Sequence, residues 1–173
     1  MEDYLPDLYQ KSIFAIDYDN LKERGIKCLL FNVDNTIVTY RANEPSTRLV
    51  SLFDSLNQMD YKVILFSNIS KKRLNDFKNR LGCECYSYKS KPKVKDFSKI
   101  MKNYLVEEPD VAIISDQMVT DIYMGNKIGI TTILVNPISN KDGFIARINR
   151  KKEDKIMNKL RDNDLFIKGK YYE

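Results

Sequence analysis

Four short apolar runs punctuate this chain: Cys28–Phe31, Val63–Phe66, Val111–Ile114 and Thr131–Val135. Each is too short for a helix and apolar at consecutive positions, the pattern of a strand buried on both faces of a parallel sheet. Helical segments fill the gaps: Ser46 caps one carrying Leu49, Leu52, Phe53 and Leu56, another runs to Gly82, and others span about 93–105 and 118–128. With a short strand around Cys83–Tyr88, this rhythm predicts a layered α/β fold with a mainly parallel sheet of about five strands. Parallel crossovers then deliver every strand's carboxyl end to one edge of the sheet, where open α/β folds bind ligands.

Outside that rhythm, Leu5, Leu8, Ile13, Phe14 and Ile16 predict an N-terminal helical segment over 1–25, stopped by Gly25. Gly143–Leu160 reads as a helix within a basic C-terminal extension, 141–173, and the tail after Asp162 is expected to be loosely ordered. No repeat or linker divides the chain, so 1–173 is expected to be a single domain. Residues 36–45 leave no room for a large cap domain.

Composition excludes several chemistries. There is no histidine, which removes Ser-His-Asp triads, histidine phosphatases and histidine-bearing metal sites. Cys28, Cys83 and Cys85 form no CxxC pair and read as reduced core residues. The acidic start lacks an apolar signal core, and no stretch approaches the roughly 20 apolar residues of a spanning helix, so the expected location is cytoplasmic. The net charge of +5 is concentrated in two blocks, 71–102 and 141–173. Such blocks serve equally as solvated helix faces or as contacts for phosphate, lipid or RNA.

The strand ends carry the chemistry. The first run ends in Asn32-Val33-Asp34-Asn35-Thr36, the second in Ser67-Asn68, the third strand is followed by Lys91-Pro92, and the fourth ends in Ser115-Asp116-Gln117 with Asp121 beyond. Phosphoryl transfer needs such a set: hard oxygens for Mg2+, a cation for the phosphate, and an acid for the leaving oxygen. Asp116, the Asp34 carbonyl and the Asn32 side-chain oxygen are the candidate Mg2+ ligands.

On these residues the chain resembles the haloacid dehalogenase superfamily, whose phosphatases attack phosphorus with the first Asp of a DxDxT motif. It is similar, nearly end to end, to the YqeG branch through Leu5-Pro6-Asp7, Asn32–Ile37, Ser67-Asn68, Lys91-Pro92, Ser115–Asp121 and Asp142-Gly143-Phe144. That branch resembles the mitochondrial phosphatidylglycerophosphate phosphatases. The resemblance implies a Rossmann-like three-layer fold. It also implies roles: Asn32 at the nucleophile position, Asp34 as general acid/base, Thr36 as a positioner, and Ser67, Asn68 and Lys91 on phosphate. Asp116 would be a metal ligand and Asp121 a partner of metal or lysine.

Two positions depart from the pattern: Ser115 replaces a glycine, and Asn32 replaces the nucleophilic Asp. An amide has no anionic oxygen with which to attack phosphorus, so the aspartyl-phosphate route is closed. Three readings follow. The first is a Mg2+-dependent phosphomonoester hydrolase, by resemblance acting on phosphatidylglycerophosphate in phospholipid synthesis, in a nucleophile-less form expected to be inactive. The second is a natural pseudophosphatase that binds a phosphorylated ligand or protein partner. The third is an RNA- or ribosome-associated protein, against which neither basic block shows interleaved aromatics or a nucleic-acid module signature. A lipid phosphate places the protein peripherally on the inner face of an anionic membrane, with the basic helix at 143–160 supplying charge and Leu5, Leu8, Ile13 and Phe14 insertion.

Overall fold

In a computed structural model that describes residues 1–140 and 144–173, side chains of 144–146 excepted, six strands form one sheet with every neighbouring pair parallel. They are β1 (Leu8–Gln10), β2 (Cys28–Phe31), β3 (Lys62–Ser67), β4 (Glu84–Ser87), β5 (Val111–Ser115) and β6 (Thr131–Val135), in the order β1-β6-β5-β2-β3-β4. Helices α1 (Tyr18–Glu23), α2 (Thr47–Gln58), α3 (Lys71–Leu81), α4 (Val94–Tyr104), α5 (Tyr123–Ile128) and α6 (Phe144–Asp162) complete the layers.

The two-residue side-chain period of β2 divides the core. Leu29 and Phe31 belong to one cluster with Leu49, Phe53 and Leu56 of α2 and Leu74 and Phe77 of α3. Cys28 and Leu30 belong to another with Phe97 and Ile100 of α4 and, more peripherally, Met124 and Ile128 of α5. Both faces of the strand are therefore dry, which is why its sequence is apolar at successive positions. The helix boundaries follow local chemistry. Ser46 Oγ accepts from Leu49 N at 3.1 Å, Ser70 Oγ accepts from Arg73 N at 3.3 Å, and Gly82 closes α3 in the left-handed conformation at φ +62°. All three cysteines are unpaired.

The N-terminal segment departs from expectation. Instead of one helix over 1–25, a 3-10 turn at Glu2–Tyr4 is followed by β1, a second 3-10 turn at Ile13–Ala15 and α1. Helical spacing of the apolar residues is overridden by the open edge of β6, which pairs Leu8, Tyr9 and Gln10 with Ile133, Leu134 and Val135. This supplies the strand beyond the expected five. Leu8 and Ile13 consequently lie in the core and are not available for membrane insertion. The tail after Asp162 is docked: Phe166 is buried, and Tyr172 exchanges backbone hydrogen bonds of 2.9 and 3.0 Å with Tyr9. No helix among the described residues is long and apolar enough to cross a membrane.

Candidate active site

From β2 the chain moves to β3 and β4 on one side, then returns to β5 and β6 on the other. The order therefore switches between β2 and β5, where a crevice opens beyond the strand ends. The two ends are tied directly, Asn32 N donating to Ile114 O at 3.1 Å.

Beyond β2 the backbone folds into a tight loop in which Val33 O accepts from the amides of Thr36, Ile37 and Val38 at 3.1–3.3 Å. Asn35 takes the left-handed conformation at φ +60°, tolerable for its short polar side chain, and accepts from the Ser139 hydroxyl at 2.9 Å. This loop turns Thr36 toward β5. Its hydroxyl donates to Asp116 Oδ1 at 2.7 Å and accepts from Asp116 N at 3.1 Å, so Thr36 grips Asp116 at two points.

Asn32 is nearly buried. Its Oδ1 accepts from Val33 N at 2.8 Å, which fixes the amide's orientation and turns Nδ2 toward Ser115 Oγ, 3.5 Å away. The Ser115 hydroxyl donates to Asp121 Oδ2 at 2.6 Å and also accepts from Gln117 N at 3.1 Å. The proton and one lone pair are then used, and the amide at position 32 faces the remaining lone pair.

The Asp116 side chain is 0 % exposed. Its Oδ2 accepts from Gln117 Nε2 at 3.1 Å and from Arg150 Nη2 of α6. Burial raises its carboxyl above the usual range, and the attraction of Arg150 only partly offsets this. Asp121, also buried, is pushed up to about 7, first by burial, with the Ser115 hydrogen bond opposing and the Asp116 charge adding to the rise. Tyr88 and Thr120 hydroxyls approach its Oδ1 at 3.4 and 3.3 Å.

Asp34 is held from α3, Arg73 Nη1 donating to its Oδ1 at 2.6 Å while Arg73 Nε donates to Ala42 O at 2.9 Å. Ser67 is buried, with Oγ accepting from Ile69 N at 3.4 Å. Asn68 Nδ2 donates to Ser90 O at 2.8 Å and so ties the end of β3 to the loop bearing Lys91. Lys91 itself is exposed, and no hydrogen bond or ion pair of its side chain joins it to Asp121 or Asp116 among the described residues. Asn32, Ser115 and Asp121 are thus one bonded chain and Thr36 with Asp116 another, the two joined through Gln117, whereas Asp34, Ser67 and Asn68 stand at neighbouring strand ends with other partners. Asp142 and Gly143 lie outside the described residues, as does the side chain of Phe144.

Sequence reasoning did not find Arg73, Arg150 or Glu153. Arg73 sits in the first turn of a Lys-Lys-Arg helix, with nothing in the pattern to distinguish it. Arg150 had a signal: with Glu153, Met157 and Leu160 it repeats at three- and four-residue spacing, an inward stripe into which a charged pair is set.

The family described as mitochondrial PGP phosphatase matches residues 2–139. The chain belongs to that family. Among its relatives, a probable phosphatase, YqeG of Bacillus subtilis, is 35% identical over 158 residues, covering 91% of this chain and 92% of that protein. A chloroplastic phosphatidylglycerophosphate phosphatase 1 of Chlamydomonas reinhardtii is 26% identical over 78% of this chain, which spans only 54% of that protein's length. Two solved structures share the fold of this PGP phosphatase family member. The cobalt-bound deoxy-D-mannose-octulosonate 8-phosphate phosphatase of Haemophilus influenzae has a TM-score of 0.51 at 17% identity, covering 80% of this chain and 94% of that one. A magnesium complex of a haloacid dehalogenase family enzyme from Bacteroides thetaiotaomicron has a TM-score of 0.50 at 13% identity, covering 67% and 96%. The fold is that of the haloacid dehalogenase superfamily, and the chain is a YqeG-type member of its phosphatases.

Proposed function

We propose that this family member is a phosphomonoester site of the phosphatidylglycerophosphate phosphatase type whose Asn32 form binds the phosphate of a lipid phosphate without cleaving it. The observation that carries the reading is the Asn32–Ser115–Asp121 chain beside Asp116. Asp34, Thr36, Ser67, Lys91, Asp116 and Asp121 are all present in the sequence, while the Asn32 amide is held through both its oxygen and its nitrogen. An Asp at position 32 would set a carboxylate oxygen against a Ser115 hydroxyl whose proton is already given to Asp121.

The donor set suits a divalent cation. Asp116, the Asp34 carbonyl and Asn32 Oδ1 are hard oxygens of the kind Mg2+ takes, and Asp116 is a buried carboxylate. Mg2+ bound there would neutralise phosphate charge and orient the ester. Asp34, aimed by Arg73, is the acid for the leaving oxygen, and Thr36 holds Asp116 in register. Ser67 and Asn68 are the candidate phosphate donors, with Lys91 closing over the ester from its exposed loop.

A bilayer substrate is supported by α6, whose Arg147, Lys151, Lys152, Lys155 and Lys159 are exposed together with Ile148. Each cation near an anionic surface contributes on the order of 1 kcal/mol. A membrane contact through α6 is favoured over one through the N-terminal segment, whose Leu8 and Ile13 are core residues.

The test pairs Asn32→Asp with Asn32→Asp/Ser115→Gly. With Mg2+, the double variant is expected to release phosphate from phosphatidylglycerophosphate in anionic vesicles, the single variant more slowly, and the Asn32 protein not at all. Phosphate release by the unaltered protein would overturn the binding-only reading. Silence of both variants on lipid and soluble phosphomonoesters would overturn the phosphatase site.

A further inference from the structure

Arg150 is bonded to the residue proposed as the metal ligand. Its Nη1 donates to the main-chain oxygen of Asp116 at 2.7 Å and its Nη2 to the Asp116 carboxylate, while Glu153, one turn on, accepts from Nη1 at 3.1 and 3.4 Å. The Arg150 side chain is 19 % exposed and those of Asp116 and Glu153 0 % and 6 %. A guanidinium keeps its charge at any accessible pH, so this positive charge is permanent. Asp116 Oδ1 accepts from Thr36 and Oδ2 from Gln117 and Arg150, so Oδ2 is the oxygen that Arg150 would contest with a metal. A divalent cation bonds carboxylate oxygen at about 2.0–2.6 Å, inside the space the guanidinium fills, and two cations on one oxygen repel.

We infer that Arg150 is a resident cation that competes with divalent metal for Asp116, so that metal enters only as the N-terminal half of α6 lets go. This rests on Asp116 being the metal ligand of the proposed site. The far end of α6 has an independent anchor: Leu160 is fully buried and clusters with Tyr9, Met118, Ile122, Leu134 and Phe166. Release is thus confined to the half that carries Arg150, where Arg147 and Ile148 are exposed. Arg150 lies beyond the residues 2–139 that match the family, so this control belongs to the C-terminal helix. It makes α6 both the switch for metal and the face turned to the bilayer.

The experiment measures Mn2+ binding to the full chain by electron paramagnetic resonance, and amide exchange in residues 147–157, without any substrate. Removing a fixed positive charge from the same oxygen is expected to tighten Mn2+ binding at least about tenfold in Arg150→Met. Arg150→Lys should stay close to the parent, and Arg150→Met/Asp116→Asn should lose the gain. In the unaltered protein, saturating Mn2+ should speed exchange across 147–157 and leave 158–162 unchanged, a readout that survives if Arg150→Met fails to fold. Equal or weaker Mn2+ binding in Arg150→Met, a gain that persists without Asp116, or exchange unmoved by Mn2+ would each overturn the inference. Because no step uses turnover, these results are independent of whether Asn32→Asp hydrolyses a phosphomonoester.

Discussion

Replacing Asp121 by Asn should abolish much of the loss of stability that the protein undergoes as pH rises from about 4 to about 7. In the folded state the carboxyl is pushed from 3.8 to about 7, chiefly by burial and further by the neighbouring Asp116 charge. The native state therefore binds the proton more tightly than the unfolded chain does, and stability falls as pH rises between those two values. Below pH 4 the contribution is fully present, and above pH 7 it is gone. At 1.36 kcal/mol per unit, a rise of about three units corresponds to roughly 4 kcal/mol, an upper figure because a buried site relaxes and admits water. Asn keeps an oxygen for the Ser115 hydroxyl and turns its amide toward the Tyr88 and Thr120 oxygens, which can accept, so the packing survives. Urea unfolding at half-unit steps from pH 4 to pH 8.5 measures the effect. Asp121→Asn is expected to match the parent near pH 4 and to exceed it by about 2–4 kcal/mol at pH 8. Glu153, also pushed up to about 7 by burial, lowers both proteins' stability over the same range and cancels in the difference. Two curves that run parallel across the range would show that Asp121 is ionised at no cost, and would refute the buried-carboxylate reasoning.

Thr36→Val deletes both contacts to Asp116 and leaves a buried amide and a carboxylate oxygen short of partners, a loss of about 1–3 kcal/mol in urea unfolding. A change under about 0.5 kcal/mol would mean water takes the place of the hydroxyl at no cost. Gly125→Ala puts a methyl group 2.6 Å from Thr132 Cγ2 and 3.0 Å from Ile113 Cγ2. Thermal unfolding should show about 1–3 kcal/mol of overpacking, relieved in part by Thr132→Ser, which deletes the nearer methyl.

The central strands were readable because β2, β3 and β5 are buried on both faces, so their sequence is apolar without interruption. The strand ends were readable for the complementary reason: Asn32, Ser67 and Ser115 are polar residues set directly after apolar ones, at positions where a core residue would otherwise stand, and Asp116 follows Ser115. β1 was not, since three residues carry no period and only the edge of β6 makes them a strand. Arg73 and Arg150 were hidden for a different reason. A cation's partner is decided by how helices pack, and Arg150 differs from Lys151 and Lys152 beside it only in facing inward. Asp121 could be placed near Asp116 by its spacing, yet its bond to Ser115 depends on a π-helical turn at Met118–Ile122 that local pattern does not announce.

The pairing of β1 sets an order of assembly. Leu8 to Gln10 precede their partners by a long stretch of chain, Ile133 to Val135 on one side and Tyr172 on the other. β1 must wait for β6 to be made, and closing a loop of that length carries an entropic penalty that shorter pairings such as β2 with β3 avoid. The central strands can condense while the chain is still growing. The edge strand and the segment around Tyr172 then lock together late, joining stretches far apart in the sequence in one seam.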